Sequence, residues 1–120
     1  MRDSETHVAE LKKMVEDFRD ARDWKQYNDP KNLAEALSIE AAELLECFLW
    51  KDKEAVAEKI KNDSVWRERF TEELADVFIY SFHLANDTGT DITEAVKNKI
   101  AKNEQKYPIG EWKGKVNKNV

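Results

Sequence analysis

Two pairs of acids stand where apolar residues are due. Leu33, Leu37, Leu44 and Phe48 recur at spacings of four, seven and four, which is one stripe of a helix. Glu40 takes the missing place in that stripe. Glu43, three residues on, lies about 60° around the helix from it, so both carboxylates share a face. A second stripe, formed by Trp66, Phe70, Val77 and Leu84, is interrupted by Glu73, with Asp76 three residues further. Ionised acids facing a core are costly unless a cation or hydrogen bonds compensate them. If the two helices pack antiparallel, Glu40-x-x-Glu43 and Glu73-x-x-Asp76 bring four carboxylates together. Such an oxygen-only set suits hard cations, Mg²⁺ first and Mn²⁺ next. In a chain with 25 acids one E-x-x-E carries little information, whereas two pairs that each break an apolar stripe carry more. The plain alternative stays open: both helices are rotated and the acids face water. A di-iron bundle would use Glu-x-x-His pairs. His7 and His83 are preceded at that spacing by Ser4 and Tyr80, which argues against redox iron.

A cation held on carboxylates inside a bundle commonly meets phosphate oxygens. Phosphate also needs donors, and Lys99, Asn103 and Lys106 line one face of the last helix, unless they are only a solvated stripe. Trp24 and Trp50 fall where the first two helices finish, and Tyr80 lies one turn beyond Asp76. Flat rings can stack on a nucleobase, although for any one ring core packing is the commoner role.

The elements that must position these groups read as helices. The first spans Ser4 to Trp24, with Val8, Leu11, Val15 and Phe18 on its apolar face, and Asn28, Asp29 and Pro30 end it. The second spans Leu33 to Trp50, with Asn32 as its cap and Glu35 completing a capping box. Lys51 to Lys61 forms a short surface helix. A long helix runs from Val65 to Asn86 and stops near Gly89. Asp91 and Glu94 open the last one, which carries Ile92, Val96 and Ile100 on one face and closes at Tyr107-Pro108. The expectation is an all-α, four-helix-bundle-like domain over residues 1–108, with one short extra helix, and an extended C-terminal arm over 109–120.

Composition narrows the partners. The 120 residues are 41% hydrophobic and 38% charged, too apolar for disorder. Three Gly and two Pro are too few for an all-β chain of many turns. The longest uncharged run, Val77 to Asn86, falls far short of the ~20 residues of a membrane span, and no secretory leader opens the chain. A net charge of −5 argues against a nucleic-acid polymer as partner, and Lys113, Lys115 and Lys118 read as a solvated tail. Cys47, alone, makes an internal disulfide impossible and reads as a small core residue, in keeping with a reducing cytoplasm.

Several ordered blocks carry a resemblance. Arg22-Asp23-Trp24-Lys25-Gln26-Tyr27, Asp29-Pro30-Lys31-Asn32-Leu33, Ile39-Glu40-Ala41-Ala42-Glu43-Leu44 and Phe48-Leu49-Trp50-Lys51 resemble the MazG-like nucleoside triphosphate pyrophosphohydrolases. So do Glu72-Glu73-Leu74-Ala75-Asp76-Val77 and the ending Lys99, Asn103, Lys106-Tyr107-Pro108. The look is that of the short dCTP pyrophosphatase-like members, from Val8 to Pro108. One departure is Val15, where vertebrate members of that branch carry a histidine. The resemblance implies Mg²⁺ on Glu40, Glu43, Glu73 and Asp76, which would also be the catalytic acids. It implies a nucleoside triphosphate substrate cut to monophosphate and pyrophosphate. It assigns substrate contacts to Trp24, Gln26, Asn28, Trp50 and Tyr80, and the phosphates to Lys99, Asn103 and Lys106. It further implies a homodimer, or a tetramer built from two dimers. Two alternatives remain at this point: a non-enzymatic helical interaction module, and a phosphoribosyl-ATP pyrophosphatase-type enzyme.

Overall fold

Four aspartates set where four of the helices begin. The side chains of Asp29, Asp52, Asp63 and Asp91 accept the backbone N–H of Asn32, Ala55, Trp66 and Glu94 at 2.8–2.9 Å. Each fills one of the donors a helix start leaves unpaired, worth about 0.5–2 kcal/mol. The computed structural model describes residues 1–116. Its α-helices are α1 (Val8–Ala21), α2 (Pro30–Glu46), α3 (Lys53–Asn62), α4 (Ser64–Thr88), α5 (Ile92–Lys106) and α6 (Ile109–Trp112), with no strand among the described residues. The all-α expectation holds.

Several boundaries differ from the sequence reading. The cap of α2 is Asp29, not Asn32. Pro30 opens the helix, where its missing N–H costs nothing, and Asn32 is the residue whose N–H is capped. At its other end α2 stops at Glu46 instead of reaching Trp50. Cys47, Phe48, Leu49 and Lys51 donate to carbonyls three residues back, so the chain tightens into successive turns, and Trp50 turns left-handed at φ 62°. The first helix likewise ends at Ala21, followed by a left-handed Asp23 (φ 54°) and a 3-10 turn over Lys25–Tyr27. The long helix ends on Gly89 at φ 67°, a backbone region that glycine enters without steric cost.

The chain forms two compact units, Met1–Gly89 and the part from Thr90 on. In the first, α4 is the central element: α2 packs on it most extensively, then α1 and α3. The end of α2 meets the start of α4, where the Trp66 indole donates to the Cys47 carbonyl at 2.9 Å and Arg69 pairs with Glu46 at 3.7 Å. The two helices therefore run antiparallel. Asn86, near the end of α4, donates to the Lys12 carbonyl of α1 at 3.1 Å. Leu33, Cys47, Trp66, Phe82 and Ala85 are the buried apolar residues, and Phe48, Trp66 and Phe70 close-pack as an aromatic trio.

Phe18 was expected in the core, yet it is half-exposed and its neighbour Arg19 is buried at 4% exposure. Helix geometry explains the exchange. At 100° per residue Arg19 falls about 20° from Val8, whereas Phe18 falls about 80° from it. Arg19 keeps its charge compensated through Asp20 at 2.8 Å and Glu16 at 3.9 Å. Burial, and then the nearby Arg19 charge, hold the His83 imidazole below its usual value.

In the second unit, taken by itself, α5 is followed by a turn and α6. Ile109–Trp112 is thus helical where an extended arm was expected. Its bonds run from Trp112 to the Pro108 carbonyl (3.1 Å) and from Lys113 to that of Ile109 (3.0 Å). The Trp112 ring meets Tyr107 edge-on at 5.0 Å. Lys113 and Lys115 are exposed, as a solvated tail requires, and Lys118 lies outside the described residues. Among the described residues no helix is long and apolar enough to cross a membrane.

Candidate metal and nucleotide site

Antiparallel packing of α2 on α4 brings the two interrupted stripes face to face. Carboxylate oxygens of Glu40, Glu73 and Asp76 lie within 4.8 Å of one another, each half-buried. Glu43, the fourth acid of the sequence pattern, adjoins this group through its carboxyl contacts with Glu40 and Glu73. Burial, then the Glu43 carboxyl, then the charges of Asp76 and Glu73, push the Glu40 carboxyl up to about 7. Burial and the Glu43 charge likewise raise Glu73. One buried oxygen each of Glu40 and Glu73 has no hydrogen-bond donor among the described residues. Crowded, partly desolvated anions without donors are unfavourable alone, and they fit a hard divalent cation, which supplies the missing positive charge.

The aromatic candidates stand at helix ends, each held differently. Trp24 closes α1: its N–H reaches back to the Arg19 carbonyl (3.1 Å) and that of Asp23 to the Asp20 carbonyl (3.1 Å), a Schellman pair. Its ring rests edge-on against Phe18 at 6.0 Å, and Phe18 in turn carries the Arg22 guanidinium 3.6 Å from its centre. Gln26 folds back onto Asp23, donating to its carbonyl at 2.9 Å, and Asn28 is half-buried at the end of the 3-10 turn. Trp50 is 99% exposed, so among the described residues its ring packs against neither Trp24 nor any other side chain. Tyr80 is half-buried on α4, one turn past Asp76, with its ring 5.9 Å from that of His83.

Lys99, Asn103 and Lys106 share a face of α5, which belongs to the other unit. Lys106 lies over the Tyr107 ring at 5.4 Å, and the Asn103 carbonyl accepts the Tyr107 N–H at 2.8 Å. Sequence reasoning placed Trp66 on the apolar face of its helix but missed its hydrogen bond to Cys47. A tryptophan at a core position is the available signal, because its indole N–H needs a partner when buried.

Comparison with known proteins places the chain. Residues 36–118 match the MazG-like family. A dCTP pyrophosphatase 1 from Bos taurus is 36% identical over 110 residues, covering 88% of this chain and 62% of that protein. The Homo sapiens dCTP pyrophosphatase 1 is 35% identical over 108 residues, covering 87% and 61%. This chain therefore spans less than two thirds of the length of these curated relatives. A solved structure of a pyrophosphatase from Archaeoglobus fulgidus is 42% identical, covers 86% of this chain and 94% of its own, and superposes with a TM-score of 0.78. The chain belongs to the MazG-like family.

Proposed function

We propose that this protein hydrolyses nucleoside triphosphates to the monophosphate and pyrophosphate, in a house-cleaning role on the nucleotide pool of the cytoplasm and with a deoxynucleotide such as dCTP preferred. The observation that carries the reading is the convergence of Glu40, Glu73 and Asp76, with Glu43 beside them, on the inner face of a MazG-like helix pair. The named relatives are dCTP pyrophosphatases and a pyrophosphatase, which supports the reaction and the choice of base. Glu40, Glu43, Glu73 and Asp76 would hold Mg²⁺, or Mn²⁺, which neutralises triphosphate charge and lowers the pKa of a bound water. Phosphoryl transfer asks mainly for positioning and charge stabilisation, so the chain needs no covalent nucleophile. Glu40 and Glu43 are the two carboxylates proposed to receive the proton of the attacking water. Trp24, Trp50 and Tyr80 offer rings to the base, with Gln26 and Asn28 beside Trp24. Lys99, Asn103 and Lys106 of α5 are donors of the kind phosphate oxygens accept.

The test is pyrophosphate release from a panel of ribo- and deoxyribonucleoside triphosphates, with Mg²⁺ and then with EDTA. Strong release from one deoxynucleotide, abolished by EDTA, is expected. Silence across the panel from folded protein overturns the reading in favour of a binding module.

The partner is proposed to be a second copy of the chain. Ile39 and Leu45 of α2 are 59% and 60% exposed, and Phe78 and Ile79 of α4 are also open, apolar side chains that a second copy could cover. Light scattering at micromolar concentration should give the mass of a dimer or tetramer. A monomer mass under those conditions overturns the proposal.

A further inference from the structure

Trp50 combines a strained backbone with a solvent-exposed ring. Its backbone is left-handed at φ 62°, a region costly for a bulky residue, and its side chain is 99% exposed. Such a conformation persists only where the surroundings over-determine it. The ring of Trp50, exposed to solvent, packs against no side chain among the described residues and so does not supply that constraint. The constraint must therefore come from the flanking chain. Downstream, the Lys51 N–H closes on the Phe48 carbonyl at 3.3 Å, and Asp52 is tied into the start of α3. Upstream, one residue grips both Cys47 and Phe48. The Trp66 indole donates to the buried Cys47 carbonyl at 2.9 Å, and its ring meets Phe48 edge-on at 5.5 Å while stacking on Phe70 at 5.5 Å and 11°. Phe70 closes the trio on Phe48 at 5.7 Å. Trp66 is also two turns before Glu73 on the same stripe of α4. The clamp on the Trp50 turn and the acids of the site thus share one rigid helix.

We propose that Trp66 is a positioning residue for nucleotide binding: through the Cys47 carbonyl and the Phe48 ring it holds the strained turn that presents Trp50. This inference rests on the nucleotide-hydrolase reading, with Trp50 as a base-stacking ring. Trp66→Phe keeps an aromatic ring against Phe48 and Phe70 and removes the Nε1 donor together with part of the indole's volume. At a temperature where both proteins are fully folded, it should raise KM for the triphosphate several-fold while leaving kcat unchanged. Trp50→Ala should raise KM by about 5-fold or more, the range of one base–aromatic stack. In the Trp50→Ala background, adding Trp66→Phe should raise KM no further, because a residue acting through another is non-additive with it. If Trp66→Phe does not fold, Phe48→Leu loosens the same turn with the indole bond intact, and the same KM pattern is expected of it.

An unchanged KM in Trp66→Phe, beside a raised KM in Trp50→Ala, overturns the inference and leaves the hydrolase reading standing. So does a further KM rise in the double variant, since Trp66 would then act by another route. An unchanged KM in Trp50→Ala removes Trp50 from the base site and the inference with it. Loss of triphosphate hydrolysis in the wild-type panel is the separate outcome that overturns the hydrolase reading, and with it the inference.

Discussion

Asp76→Asn and Glu43→Gln are expected to fold like the wild type and to lose Mg²⁺-dependent triphosphate hydrolysis by more than about 100-fold. Changes in groups that only support a metal ligand already cost about 10–100-fold. A residue that supplies the ligating oxygen should cost at least as much. Both substitutions keep the shape of the side chain and remove one negative charge. The fold should survive because the acids repel one another: the charges of Asp76 and Glu73 help to push Glu40 upward, so a neutral amide relieves strain at the α2–α4 contact. Circular dichroism and melting temperature check the fold, and initial rates of pyrophosphate release check the activity. Retained turnover in both variants would overturn the assignment of these acids to the site.

Between pH 6.5 and 8, metal-free protein should become less stable as pH rises, and Mg²⁺ should reverse the trend. Glu40 has a folded-state pKa of about 7, raised from 4.5, so ionising it favours the unfolded chain. The stability that comes with its proton is complete below pH 4.5 and is lost as pH climbs through 7. Glu73 is shifted in the same direction by burial and the Glu43 charge, so its proton too contributes stability that is lost as pH rises. His83 works with the opposite sign: its folded value lies below 6.5, so its contribution is present above 6.5 and lost on acidification. The two influences therefore separate near pH 6.5. A cation that binds only the folded state adds about 2.7 kcal/mol at 100 times its Kd. It competes with protons for the same oxygens, so its effect should grow with pH. Melting curves with EDTA and with Mg²⁺, at pH 6.5 and 8, measure both terms. Glu40→Gln should flatten the metal-free dependence and shrink the Mg²⁺ increment. A full Mg²⁺ response in that variant would remove Glu40 from the metal site.

The acid pairs were legible because two local rules intersect at them. Helical periodicity names the inward positions, and the cost of burying charge marks an acid found there as exceptional. Glu40 and Glu73 are the residues that break the stripes, and both are half-buried with donorless oxygens. The starts of α4 and α5 were readable for a similar reason, since a capping side chain acts on residues within three positions of itself, whereas α1 begins at Val8 instead of Ser4 and α3 at Lys53 instead of Lys51. Family membership was readable from the order of the blocks between Val8 and Pro108. The misreadings lie where two local signals competed. Asn32 and Asp29 could each cap α2, and Pro30 decided for Asp29. Phe18 is the more apolar neighbour of Arg19, yet the helix angle turned Arg19 inward.

By itself, then, the sequence determined an all-α chain, the acid-capped starts of α4 and α5, and two helices that each carry an acid pair on an inner face. These follow from interactions within one helical turn. Tertiary structure alone decided which oxygens converge, because that depends on the register of α2 against α4. It also decided that α2 would end at Glu46 and leave Trp50 left-handed in solvent. There the indole of Trp66 donates to the carbonyl of Cys47, 19 residues away in the chain, and a partner at that distance leaves no periodic trace in the sequence.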